Sequence, residues 1–134
     1  MADLSEILFE YLSTELAGVV SNRIYPGKLP EPVTFPAIAW HKIDARRDRG
    51  YEPFEDFEAF VFVRVQFDCW GRSYDEAADL GNDLLGALSG YGGLMAGTLI
   101  TAHPINEFED HDSLVKKYRR VLDFEVTYQD SVKS

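Results

Sequence analysis

A chain of 134 residues fits a single domain, residues 1–134, and is long enough to bury a sizeable core. Its hydrophobic fraction of 46 % is ordinary for a globular protein and too high for a disordered one. Thirteen basic against 23 acidic residues give a formal charge of −10, which argues against sequence-independent nucleic-acid binding, because phosphate contacts demand a basic surface.

No apolar run approaches the roughly 18 residues of a membrane span. The N-terminus lacks a basic region followed by an apolar block, so no secretory signal is expected. The single cysteine, Cys69, cannot form an internal disulfide, which suits a reducing cytoplasm.

Along the chain, Asp3 with Glu6 has capping-box spacing, with Asp in place of the usual Ser or Thr. Leu4, Ile7, Leu8, Tyr11, Leu12 and Leu16 then recur as one helical stripe. Residues 24–36 hold Pro26, Pro30, Pro32, Pro36 and Gly27, and read as an extended surface connection. A first strand is expected from Ala37 to Ala45, with Ile38 and Trp40 on one side and Ala37, Ala39 and Ile43 on the other. Residues 46–56, with three arginines, Gly50 and Pro53, read as a long mobile hairpin loop.

The second strand, Phe57 to Trp70, carries the clearest alternation. Val61, Val63, Val65, Phe67 and Cys69 form an apolar face, while Phe60, Phe62, Arg64, Gln66, Asp68 and Trp70 form a mixed one. Ser73 and Glu76 then make a standard capping box. Tyr74, Ala77, Ala78, Gly81, Leu84, Leu85 and Leu88 follow as a helical stripe, which Gly90 and Gly92-Gly93 should stop. Leu99 to Phe108 is a third strand, placed at an edge or bulge by Pro104. Glu107 to Ser113 reads as an acidic turn. Tyr118 to Tyr128 is the fourth strand, with Leu122, Phe124, Val126 and Tyr128 inward.

The order α-β-β-α-β-β, with one apolar sheet face, implies an α+β two-layer sandwich. Four mainly antiparallel strands carry two helices on one face, and the other face is left open to a partner.

Candidate chemistry is thin. Cys69 shares the apolar face of its strand, so a core thiol is favoured over a nucleophile. His41, His103 and His111 fall on separate elements, and the acids around His111 lack the spacing of a calcium loop. No phosphate loop, dinucleotide fingerprint or HExxH is present, and Gly90-Tyr91-Gly92-Gly93 follows a helix where an anion loop would precede one. No catalytic residue, metal ligand or cofactor is expected. Lys116, Lys117, Arg119 and Arg120 can pair with Glu107 to Asp112 across the turn, or meet another protein surface.

Several blocks stand in a telling order. Arg23-Ile24-Tyr25-Pro26 leads through prolines to Phe35-Pro36-Ala37-Ile38. Cys69-Trp70-Gly71-Arg72 closes a strand and Ser73-Tyr74-Asp75-Glu76 opens a helix. Lys117-Tyr118-Arg119-Arg120 leads into Leu122-Asp123-Phe124-Glu125-Val126. In that order and at those distances, across roughly residues 7 to 128, they resemble the phage tail terminator family, also called tail completion or tail-to-head joining proteins. The resemblance implies a non-enzymatic α/β protein of the virion tail, assembled in the host cytoplasm. It implies a hexameric ring that caps the head-proximal end of the tail tube, ends polymerisation and offers the head-joining surface. Implied partners are further copies, the tail tube protein and head-tail connector proteins. DNA passes through the ring without specific binding, and acidic walls suit that passage. Arg46, Arg47 and Arg49 on the first hairpin, with Lys116, Lys117, Arg119 and Arg120, are the candidate assembly contacts. A connector or head-completion factor on a similar fold, a small ligand-binding or regulatory domain, and an acidic-residue nuclease are the alternative readings.

Overall fold

A computed structural model describes residues 4–30, 32–48, 58–95, 98–112 and 117–131. The elements are α1 (Leu4–Glu15), β1 (Ile24–Pro26), β2 (Ala37–Asp48), β3 (Glu58–Gly71), α2 (Tyr74–Leu88), β4 (Tyr91–Met95), β5 (Thr98–Asp112) and β6 (Lys117–Ser131). They build one sheet in the order β1-β2-β3-β6-β5-β4. All neighbours are antiparallel except β1 and β2, which run parallel.

The architecture is α+β, but the sheet has six strands where four were expected. The two extra strands are its edges. β1 lies in the proline-rich connection and pairs Ile24, Tyr25 and Pro26 with Ile38, Ala39 and Trp40. Pro26 lacks a donor, which an edge position tolerates. Ile24 is 2 % exposed and anchors the strand in the core. Arg23 holds the approach in place: its guanidinium donates to the Pro36 carbonyl at 3.0 Å and the Val19 carbonyl at 3.2 Å. β4 takes in Gly92-Gly93, which read as a stop. They pair with Thr101 and Ile100, and the helix instead ends at Leu88. Gly90, at φ 69°, supplies the left-handed turn between them.

The hairpin strands also run further than expected. β2 continues to Asp48, so Arg46 and Arg47 are strand residues and not part of a loop. β5 runs to Asp112, so most of the expected acidic turn is strand in register with β6. Pairing with a long neighbour overrides weak local β preference. Arg49 and the rest of the predicted loop, residues 49–56, lie outside the described residues, as do Asp3 and Lys116.

Alternation decides the layers. Val61, Val63, Val65, Phe67 and Cys69 are at most 1 % exposed, and Leu122, Phe124 and Val126 on β6 share their face. Phe67 and Phe124 meet edge to face, with ring centroids 5.7 Å apart. Both helices join this one cluster, through Leu8 and Leu12 of α1 and Leu80, Leu84 and Leu88 of α2. Leu80 was not in the expected stripe; the stripe turns slightly, burying Leu80 and leaving Tyr74 exposed. Tyr11 ties the helices together by donating to the Ala87 carbonyl at 2.7 Å. No helix among the described residues is long and apolar enough to cross a membrane.

Ser73 caps α2 as its sequence implies. Its hydroxyl accepts from the Glu76 backbone N–H at 3.1 Å. The Glu76 carboxylate reaches back one residue beyond the cap and accepts from the Arg72 N–H at 2.9 Å. It also meets the Arg72 guanidinium, which lowers the Glu76 pKa.

Leu84 is fully buried at the middle of α2. Leu84→Ala should therefore cost about 2–5 kcal/mol in urea melts. A loss below about half a kcal/mol would be surface behaviour and would remove Leu84 from the core.

Candidate assembly surface

The sheet face away from the helices is uncovered by any element among the described residues, yet it is not uniformly wet. Strand register sets its chemistry in rows. Asp44, Arg64, Glu125 and His103 stand side by side across four strands. His41, Gln66, Asp123 and Asn106 form the next row, and Ala39, Asp68, Val121 and Phe108 the one after. Arg64 donates to Asp123 at 2.7 Å, and Arg119 to Asp68 at 3.5 Å. The Arg119 guanidinium also lies 5.3 Å from the centre of the Trp70 ring. These long side chains leave Asp68 only 7 % and Asp123 only 4 % exposed. Asp68 Oδ1, Asp123 Oδ1 and Arg64 Nε have no hydrogen-bond partner among the described residues. Burial disfavours the Asp68 charge and raises its pKa, against the opposing pull of Arg119 and His41.

The predicted basic residues do not form one patch. Arg119 and Arg120 are adjacent in sequence and so point to opposite faces of β6. Arg120, facing Cys69 in register, turns toward α2. Its guanidinium donates to the Ala78 carbonyl at 3.0 Å, Asn82 Oδ1 at 2.7 Å and Glu107 at 2.6 Å. Gly81 makes room for it: a Cβ there would sit 2.6 Å from Arg120 Cδ. Arg120 is thus a brace between helix and sheet. Lys117 lies at the start of β6, its ammonium 5.5 Å from the Phe35 ring centre. Arg46 is exposed on β2, its guanidinium 5.0 Å from the Phe62 ring centre, and Arg47 follows it opposite Val61. In backbone register across β5 and β6, Glu109 stands opposite Arg120 and Asp112 opposite Lys117. Arg64 and Asp123, which sequence reading did not single out, carry the open face. Their signal was there: each is a charged position on the mixed side of a strongly alternating strand.

Both sheet edges are only partly finished. β1 covers β2 only along Ile38–Trp40, and β4 covers β5 only along Thr98–Ala102. Residues 41–48 and 103–112 therefore have no outer strand among the described residues. A groove of about 570 Å³ lies between α1 and β1, floored by Phe9, Ile24, Pro26 and Trp40 and rimmed by Glu6 and Glu10. Cys69 is fully buried, and burial pushes its thiol far above the usual range, so it has neither the access nor the acidity of a nucleophile. Among the described residues no three His, Cys, Asp or Glu side chains gather as metal ligands.

Among the described residues, the open charged face and the unfinished strand edges are surfaces that another protein could meet. The family "Tail completion protein gp17" matches residues 8–129, almost the extent over which the sequence blocks align. The chain belongs to this family. It is a structural protein of bacteriophage tail completion. A chain in the solved structure "Virion of native gene transfer agent (GTA) particle" shares its fold, with a TM-score of 0.66 and 12 % sequence identity. That likeness covers 96 % of this chain and 99 % of the other. No curated protein matches the sequence.

The buried Asp68 gives this tail completion protein a pH signature. A carboxyl whose folded pKa is raised keeps its full stabilisation below the unfolded value, about 3.9, and loses it as pH rises through the folded value. Asp68→Asn removes that loss. Its stability relative to the native chain should improve from about pH 3 to pH 7. A difference that is flat, or that moves the other way, in melts across this range would show that Arg119 fully offsets the burial of the charge.

Proposed function

We propose that this protein caps the head-proximal end of the phage tail tube as a ring, most simply of six subunits. The ring ends tube polymerisation and provides the surface to which the filled head joins. The family match along nearly the whole chain carries this reading. The shared fold with a chain of a gene transfer agent virion supports placement in the particle, after assembly in the host cytoplasm. Tail tube and connector proteins are the partners, together with further copies of the chain.

The chemistry supports the same reading. A ring needs heterologous contacts that close by rotation, and the open face and unfinished edges supply surfaces for them. The charge of −10 suits a channel that DNA crosses without sticking. No step calls for a cofactor or an active group. Cys69→Ala should leave phage production intact apart from a small packing loss. Failed assembly by a normally folded Cys69→Ala protein would count against a purely structural thiol.

Arg46, Arg47 and Arg49 are the proposed contacts to a neighbouring subunit or the tube, and Lys117 and Arg119 contribute from the other end of the sheet. Lys116 belongs with them by sequence, whereas Arg120 acts from behind by bracing α2. Surface charges contribute little to folding, and Arg46 is exposed, so reversing 46, 47 and 49 to Glu should leave the melt nearly unchanged. The test is complementation of a phage lacking the gene, with particles viewed by electron microscopy. Without the protein, tails should be overlong or fail to join heads, and the triple variant should restore assembly poorly. Normal-length, head-attached tails in the absence of the protein would sink the terminator reading, and full rescue by the triple variant would sink only the three arginines.

A further inference from the structure

We infer that the two unfinished edges of the sheet are the two halves of one self-contact: residues 41–48 of β2 in one copy lie beside residues 103–112 of β5 in the next. The inference rests on the oligomeric reading above and names the surfaces that make the oligomer. A bare strand edge presents a row of unmet N–H and C=O groups, and proteins rarely leave long ones without protection or use. Here β1 and β4 stop short after three and five residues, leaving the longer part of each neighbouring strand without an outer strand among the described residues.

The chemistry of the two edges is opposite. Residues 41–48 carry Lys42, Arg46 and Arg47 against Asp44 and Asp48. Residues 103–112 carry Glu107, Glu109, Asp110 and Asp112 and neither Lys nor Arg. In a chain of charge −10, a stretch with more cations than anions is a local exception. Each edge also has one irregularity, at Ile43 between Lys42 and Asp44, and at Ile105 between Pro104 and Asn106. Both isoleucines are exposed, at 44 % and 45 %, as is Phe108 at 45 %. Such bulges and charges commonly keep edges apart. The sign pattern makes that protection selective. Two acidic β5 edges repel each other, and two β2 edges, each with one net positive charge, gain nothing from charge, so edge pairing with like is disfavoured. Only the unlike pair attracts. An unlike pair is a heterologous, head-to-tail contact, the kind that generates rings.

Direction fits this arrangement, and level requires a stagger between neighbours. β2 is antiparallel to β3, β3 to β6 and β6 to β5, so β2 and β5 themselves run in opposite directions. A copy rotated about an axis along the strands therefore meets its neighbour as an antiparallel pair. Register places the free parts mostly at opposite ends of the sheet: His41 is level with Asn106, and Phe60 links Asp48 to Gln129 at the far end. Neighbours must then be staggered, with strands tilted to the axis, as in any closed barrel.

The test uses charge-swapped copies of the full chain. Arg46→Glu with Arg47→Glu makes both edges acidic, and Glu109→Lys with Asp110→Lys and Asp112→Lys makes both basic. Each variant alone should fold but lose self-association by roughly tenfold or more, because like charges now face each other. An equimolar mixture should restore it, since every contact in an alternating assembly again joins unlike edges. Sedimentation reads the outcome. Both variants folded, with a mixture no more associated than either alone, would overturn the edge contact. A second measurement traps the contact directly. Ile43→Cys mixed with Phe108→Cys or Asp110→Cys should form a disulfide dimer under mild oxidation that neither single variant forms alone, Cys69 being buried. A wild-type-sized oligomer without a mixed cross-link at either pair overturns the edge contact and leaves the ring standing. A wild-type chain that stays monomeric both in solution and in purified tails overturns the ring, and the edge contact with it.

Discussion

The antiparallel pairing of β3 with β6 is the constraint on which the molecule depends. It runs through the centre of the sheet, from Glu58 opposite Ser131 to Gly71 opposite Tyr118, without a register shift among its described pairs. Because side chains alternate, a slip of one residue would put Arg64, Asp68, Asp123 and Glu125 under the helices and expose the valines. Such a slip would desolvate charges that no helix residue is placed to meet, at a cost of several kcal/mol per ion. The register is thus fixed by what it keeps out as much as by what it buries. The two bulges fall on β2 and β5, the strands flanking this pair, where an irregularity disturbs a margin and not the centre.

Arg119 and Arg120 show how one register divides a charge cluster into two tasks. On the helix side, Arg120 is a cation placed next to the core, with its side chain 16 % exposed. It is tolerated because Glu107 supplies the countercharge and Asn82 Oδ1 and the Ala78 carbonyl accept further hydrogen bonds. Gly81 lowers helix propensity by about 1 kcal/mol relative to Ala, and the passage it opens for Arg120 is the structural return. On the open side, Arg119 lies across Trp70 and reaches Asp68, where it shields a carboxylate from water without covering the sheet.

The sequence made plain whatever repeats with a period. β3 and β6 alternate cleanly, and α2 has a strong cap and a regular stripe, so the helix-facing core was legible residue by residue. β1 and β4 were not, because proline and glycine signal turns and only a neighbouring strand makes an edge of them. The length of β2 and β5 was likewise hidden, since charged residues such as Arg46, Arg47 and Glu109 have little strand preference of their own. Burial of Asp68 and Asp123 was beyond local reasoning too, because the arginines that cover them come from other strands. For the same reason the basic block at 116–120 read as one patch, although alternation alone separates Arg119 from Arg120.

The open face carries a cost that folding does not explain. Replacing paired charges by apolar residues of similar size often leaves a protein as stable or more so. Here such a change would join Val121 to Phe108, Phe60 and Phe62, the phenylalanines being half-buried or exposed. A contiguous apolar patch on an uncovered sheet face promotes indiscriminate association. Charges held half-desolvated in the middle of that face break the patch while leaving it flat and dry enough for a specific partner. Arg64, its side chain 43 % exposed, must be met by acceptors in any partner that covers it, so the face discriminates by the polar groups it asks a partner to satisfy. For a virion part that meets other proteins of the particle, selectivity of that kind matters more than the stability it costs.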